Sequence, residues 1–245
     1  DYIYIDPDET ALLRMKPYER TFKKAMGLAC SDVKIAYATQ DRLSPEQFGR
    51  FIGYIYWRWG SNYIANDFQN RASEKGYSIA LGTTATGGQV ENQMMRNDPQ
   101  AGIKGYIRQG YNVHWLLVDA SLEDKLEDNA RRFADAKGKY VPEYDVRGKA
   151  DALKGNLPLY FRLPGLSGGS TSLYWREAGK APELAAVWNK STTQGFAEPR
   201  ADLSQKFAAK YGTSVQALTQ LFEEGSTERQ ANPDLKLPHH LARRR

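Results

Sequence analysis

The sequence predicts an α/β protein in which a parallel sheet carries helices on both faces. Two kinds of observation lead there: short apolar runs rich in β-branched and aromatic residues, and the helical patterns that alternate with them along the chain. Of the 245 residues 41% are hydrophobic, enough for one large domain or one domain with a small appendage. An aromatic share of 12% beside 26% charged residues belongs to a folded chain rather than a disordered one.

The first run, residues 1–5, reads as a strand. No methionine precedes Met15, so a longer natural protein is expected. Residues 17–76 are mostly helical in pattern, with Ser44-Pro45-Glu46 offering an N-cap followed by proline in the first turn. Aromatics crowd residues 48–63, as on a core-facing helix, although Trp57, Arg58 and Trp59 would also suit a base-stacking wall. Gly76 closes that region and residues 77–81 form the next strand, ending at Gly82-Thr83-Thr84. A polar helical segment, 89–109, is closed by Gly110. Residues 111–119 are the clearest strand of the chain, and 121–135 follow as a helix. The stretch 136–169 reads as a Gly- and Pro-containing region rich in bases, among them Arg147, Lys149, Lys154 and Arg162. Residues 184–188 form a last strand before Asn189. Two helical patterns, 203–211 and 213–222, are separated by Gly212, with Thr213 placed to cap the second. The domain expectation is therefore 1–195, followed by a helical extension and basic tail, 196–245.

The single cysteine, Cys30, cannot form an internal disulfide, and no Cys/His spacing builds a zinc site, which suits a reducing compartment. Apolar runs such as 115–118 are too short to cross a bilayer, and no basic-then-apolar leader opens the chain, so neither a membrane nor export is expected. The net charge of +5 owes much to Arg243-Arg244-Arg245, a solvated tail on the simplest reading.

Ligands of open α/β sheets bind beyond the carboxyl ends of strands, which directs attention to Asp6-Pro7-Asp8, Gly82-Thr83-Thr84 and Asp119-Ala120-Ser121. Paired carboxylates at such an end can take a proton from an attacking hydroxyl and help hold Mg²⁺; taken alone, Asp-Pro-Asp reads as a turn with Asp8 capping the next helix. Arg131, Arg132 and Arg147 could close on a polyphosphate, or simply form a solvated basic face.

The order of these pieces resembles the zeta-toxin family of P-loop kinases. That family's strand-Asp-x-Asp and its apolar strand ending in Gly-Thr are similar to Ile5-Asp6-Pro7-Asp8 and Ile79-Ala80-Leu81-Gly82-Thr83. Its Gly-Tyr-x-Val strand resembles Gly110-Tyr111-Asn112-Val113. Its lid resembles Arg131-Arg132 through Gly138-Lys139-Tyr140-Val141-Pro142 to Arg147, and its late strand with an Asn-containing end resembles residues 187–191. The resemblance covers roughly residues 3 to 191. It implies a three-layer P-loop kinase-like sheet and an ATP- and Mg²⁺-dependent toxin or effector kinase acting in the bacterial cytoplasm or delivered into a host cell. It makes Asp8 the general base, with Asp6 as support or alternate and as the residue nearest the Mg²⁺ held by the phosphates. Thr83 and Thr84 would touch the acceptor. Arg132 and Arg147 would grip the ATP phosphates, with Arg131 as alternate, and Asn189 would lie near the adenine. The implied partners are a nucleotide-type small molecule and an antitoxin or chaperone, with no membrane.

Leu81 stands where sugar-nucleotide kinases of the family carry a carboxylate, and residues 84–87 lack their arginine. Both departures disfavour a UDP-amino sugar and turn preference to the effector branch that phosphorylates the adenosine ribose of NAD. The Gly-rich phosphate loop with its lysine is absent from the 245 residues and is expected upstream. Without it the fragment should be inactive. Two competing readings are a kinase fold kept only for binding, and a DNA-binding helix-turn-helix at 207–218 with Gln216 and Gln220 toward bases. Nucleic acid is disfavoured because residues 213–224 hold no Lys or Arg. His114, His239 and His240 are assigned no chemistry.

Overall fold

The computed structural model describes residues 3–5, 68–82, 106–107, 110–134, 141, 143–177, 179–190 and 195–231. Their secondary structure is mixed α/β with two sheets, and the chain divides into two compact units. One comprises Asp1–Thr84 with Asn129–Glu143, the other Ala85–Asp128 with Tyr144–Arg245.

In the first unit, β1 (Ile3–Ile5) and β2 (Ile79–Leu81) pair in parallel, Ile3 with Ile79 and Ile5 with Leu81. Residues 68–74 are helical and lead into β2 through Gly76, whose φ is +72°. The Gly76 N–H donates to Ser73 O and the Tyr77 N–H to Ala72 O, the paired bonds of a left-handed helix stop. Gly110, Gly168 and Gly212 end the helical residues before them with the same two bonds and with φ of +90°, +78° and +66°. Gly76, Gly110 and Gly212 are the three breaks legible in the sequence.

The second unit holds a four-stranded sheet in the order β3-β4-β5-β6. β3 (His114–Ala120) and β4 (Ser170–Arg176) are parallel, and α1 (Leu122–Ala134) and α2 (Glu143–Ser167) lie between them in the chain. The unit boundary falls within α1. β5 (Glu183–Asn189) runs antiparallel to β4, and β6 (Phe196–Ala197) antiparallel to β5. The sheet is therefore mixed where an all-parallel one was expected. The connection 177–182 is the physical reason: a parallel neighbour needs a crossover of about a dozen residues or more, and so short a link permits only a hairpin.

One face of this sheet is the core. Trp115, Leu117, Leu173, Trp175, Ala186 and Trp188 pack against Tyr160 and Phe161 of α2. Tyr160 meets Trp115, and Phe161 meets Trp188, edge to face at 4.7 Å in each case, the arrangement that aromatic quadrupoles favour. On the other face Leu116 and Val118 are 70% and 58% exposed, so among the described residues no element covers that side of β3.

α2 occupies much of the stretch that read as Gly- and Pro-containing. Helix propensity does not explain a 25-residue helix with Pro158 and Pro164 inside it. Packing does, since Leu157, Tyr160, Phe161, Leu163 and Leu166 are all buried. Pro164 cannot donate to the Tyr160 carbonyl one turn earlier, and the fully buried Thr171 of β4 supplies the missing donor, its hydroxyl lying 2.8 Å from that oxygen. Pro158 deprives the Lys154 carbonyl in the same way, but both residues are on the exposed side, where water is available.

Past residue 195, β6 joins the same sheet. α3 (Ala201–Lys210) and α4 (Val215–Ala231) bury Leu203, Phe207, Leu218 and Phe222 in the same core. Trp188 donates its indole N–H to Thr219 Oγ1 at 2.9 Å. Residues 196–222 thus contribute to the hydrophobic core of the second unit. The cap of α4 is Ser214 rather than Thr213: its Oγ accepts from the Ala217 N–H at 3.1 Å, while Thr213 N–H is used in the turn before it.

Candidate functional site

The carboxyl end of β3, one of the three strand ends singled out in the sequence, carries the most unusual polar grouping among the described residues. β3 alternates until its last turn inward, where Asp119 takes a core-facing position and is 3% exposed. An ionised carboxylate there requires partners. Lys210, the last residue of α3, places Nζ 2.9 and 3.0 Å from the two Asp119 oxygens and 2.6 Å from Ala120 O. Its three donors thus meet three acceptors. Tyr211 donates its hydroxyl to Asp119 Oδ2 at 2.7 Å, and Lys125, from the first turns of α1, forms an ion pair with Oδ1. The Lys210 ammonium also lies 5.0 Å from the Tyr211 ring centre and 5.8 Å from that of Trp175, within reach of cation–π attraction.

The electrostatics follow from one anion serving two cations. Burial pushes the Asp119 carboxyl up, but Lys125 and Lys210 outweigh it and hold the group below its ordinary value. Lys210 is pulled the other way from a simple ion-pair partner: burial is the main cause, Lys125 repels it, and Asp119 compensates only in part, leaving it at about 8. Tyr211 is raised by burial and by the neighbouring carboxylate, so it remains a donor.

Around this cluster Ser121 Oγ accepts from the Asp124 N–H at 3.0 Å and caps α1. Asp128, one turn beyond Lys125, pairs with Arg176 at the end of β4. Lys125 and Asp128 therefore tie one face of α1 to the ends of β3 and β4. Glu177 bonds Lys180 at 2.7 Å and Lys206 at 3.2 Å on the exposed rim.

The residues chosen from the sequence are distributed differently. Asp6, Asp8, Thr83 and Thr84 lie outside the described residues; Ile5 and Leu81, the residues before Asp6 and Gly82, are register partners in parallel strands. Arg131 is exposed on α1, and Arg132 is the next residue of that helix. Arg147 is exposed in the first turns of α2. Asn189 ends β5 and pairs with Ser170, which itself pairs with His114, so it lies at the edge where β3 begins. Roughly 20 Å of strand separates that edge from Ala120. Asn189 is thus not brought together with the Asp119 cluster. Gln216 and Gln220 are exposed on α4, and Gln220 bonds Glu224 at 3.3 Å.

Lys125, Trp175, Lys210 and Tyr211 went unrecognised in the sequence. The available signal was Asp119 itself, a charge closing an apolar strand, which demands a countercharge without saying where in the chain it resides. Among the described residues no group of three His, Cys, Asp or Glu could hold a metal ion, and no helix is long and apolar enough to cross a membrane. No family model matches the chain, and neither a curated protein nor a solved structure does.

Proposed function

We propose that the chain is the larger part of an ATP- and Mg²⁺-dependent phosphotransferase related to the zeta-toxin kinases, acting on a hydroxyl of a nucleotide-type molecule such as NAD or a UDP-amino sugar. The observation that carries the reading is the parallel register of β1 and β2: Ile5 and Leu81, the residues that precede Asp6-Pro7-Asp8 and Gly82-Thr83-Thr84 in the chain, are paired at the carboxyl ends of parallel strands. A parallel β3–β4 pair joined through helices supports the same class.

On this reading Asp8 accepts the proton of the acceptor hydroxyl as the hydroxyl oxygen attacks the terminal phosphoryl group in line, while the bond from that phosphorus to the β-phosphate oxygen breaks and ADP leaves with its electron pair. Thr83 and Thr84 orient the acceptor. Arg132 and Arg147 stabilise charge on the transferring group, with Arg131 as the alternate. Asp6 would help hold Mg²⁺, which when bound with the phosphates would supply neutralisation of their charge.

The reading requires a Gly-rich loop with a lysine encoded before Asp1, and determining the upstream sequence is its first test. The second is transfer from labelled ATP by the full-length protein to a panel including NAD and UDP-N-acetylglucosamine. Asp8→Asn should lower transfer about 10²- to 10⁴-fold; unchanged transfer removes Asp8 as the base.

A further inference from the structure

Asp119 is a single buried charge shared by lysines from two different helices, Lys125 of α1 and Lys210 of α3. Its side chain is 2% exposed, so it cannot exchange either partner for bulk water without the surroundings opening. Lys210 and Tyr211 are adjacent, and the turn closed by Gly212 joins them to α4, so any movement of the C-terminal helix pair withdraws both of Asp119's partners on that side together. Two routes then lead to the start of α1. One is the carboxylate, through Lys125. The other is the Ala120 carbonyl, which loses its Lys210 donor immediately before Ser121, the cap of α1.

We propose that Asp119 is a coupler through which the helix pair α3–α4 controls how firmly α1 is held at the strand end. Resting on the kinase reading, the same coupling regulates the phosphate-binding arginines that α1 carries. Ser121, Lys125 and Asp128 recur at the spacing of one helical face. Asp119, Lys125 and Lys210 are therefore positioning residues rather than catalytic ones. The groups facing the Lys210 ammonium are Asp119 from β3, Lys125 from α1, Tyr211 beyond its own helix, and the Trp175 ring from β4.

Amide hydrogen exchange on the full-length protein tests this directly. Lys210→Met should speed exchange across residues 122–128 by about tenfold or more, with β5 unchanged; acceleration confined to α3 overturns the proposal. A second variant does not depend on that one folding. Lys125→Met removes a repelling charge, so the Lys210 titration, followed by NMR of its ε-methylene, should move upward from about 8. An unmoved midpoint overturns the proposal equally. Neither readout needs catalysis, so absence of phosphoryl transfer by the unsubstituted protein sinks the kinase reading while leaving the coupler to be decided by exchange and titration. Where transfer occurs, Lys210→Met should raise KM for ATP more than it lowers kcat, and Lys210→Arg should restore part of the loss.

Discussion

Replacing Asp119 by asparagine removes the anion that Lys210 and Lys125 share while keeping the side-chain shape. At an effective dielectric of about 20, unit charges about 3 Å apart attract by roughly 5 to 6 kcal/mol before desolvation is subtracted. Deleting one partner of a buried pair costs about 3 to 5 kcal/mol net. Lys125 keeps some hydration at 27% side-chain exposure, whereas Lys210, at 15%, keeps less. The lower figure, about 3 kcal/mol, is therefore expected near pH 6, a fall in melting temperature of about 6 to 12 °C. Urea unfolding followed by tryptophan fluorescence measures it, since Trp175 and Trp188 share the affected core. The loss should also depend on pH. A lysine whose folded value lies below its unfolded one binds fewer protons folded than unfolded between the two values, so stability rises with pH across that window. In the unsubstituted protein the window opens at about 8. Without Asp119 it opens lower, so the variant recovers stability earlier and the penalty shrinks as pH approaches 8. On the acid side, Asp119 is held below its ordinary value, so its contribution is present above about 4 and disappears as pH falls through the folded value. A penalty under about 1 kcal/mol, or one that does not decline from pH 6 to 8, would refute the shared-anion account.

Other substitutions isolate single links. Thr171→Val should cost about 1 to 3 kcal/mol by orphaning the Tyr160 carbonyl, and adding Pro164→Ala should recover part of that loss in chemical denaturation, because the alanine N–H can take the vacated acceptor. Gly155→Ala should stabilise by roughly 0.5 to 1 kcal/mol, since the added methyl meets nothing and alanine favours helix. Gly165→Ala or Gly225→Ala should instead lower the melting temperature, their methyl groups colliding with the carbonyl oxygens of Phe222 and Arg162 where α2 and α4 cross. Ser214→Ala should cost about 1 kcal/mol by removing the cap of α4, whereas Thr213→Val should cost less; equal effects in thermal melts would return the cap to Thr213.

These contrasts show where sequence reading succeeds. β3 and α1 were legible because β3 joins an apolar run, Trp115 to Val118, to a Ser-capped helix, and the glycines at 76, 110 and 212 mark stops that need a left-handed backbone. α2 and β4 were not legible, because their stability is non-local: the helix accepts Pro164 only because Thr171 stands opposite Tyr160, and β4 is a Ser/Thr/Tyr-rich strand without a long apolar run. The candidate site was half visible in the same sense. Asp119 could be noticed at its strand end, but the identity of its countercharge depends on α3 folding back from 91 positions away.

The Thr171–Pro164 relationship also constrains the order in which this chain could change. Losing the threonine first leaves a buried acceptor stranded. Losing the proline first only adds a second donor to a carbonyl that has two lone pairs, which is tolerable. Descent toward an ordinary helix is therefore open in one sequence of steps and obstructed in the other, so among descendants of this chain a retained Pro164 should be accompanied by a hydroxyl at position 171, while an altered Pro164 frees that position to drift.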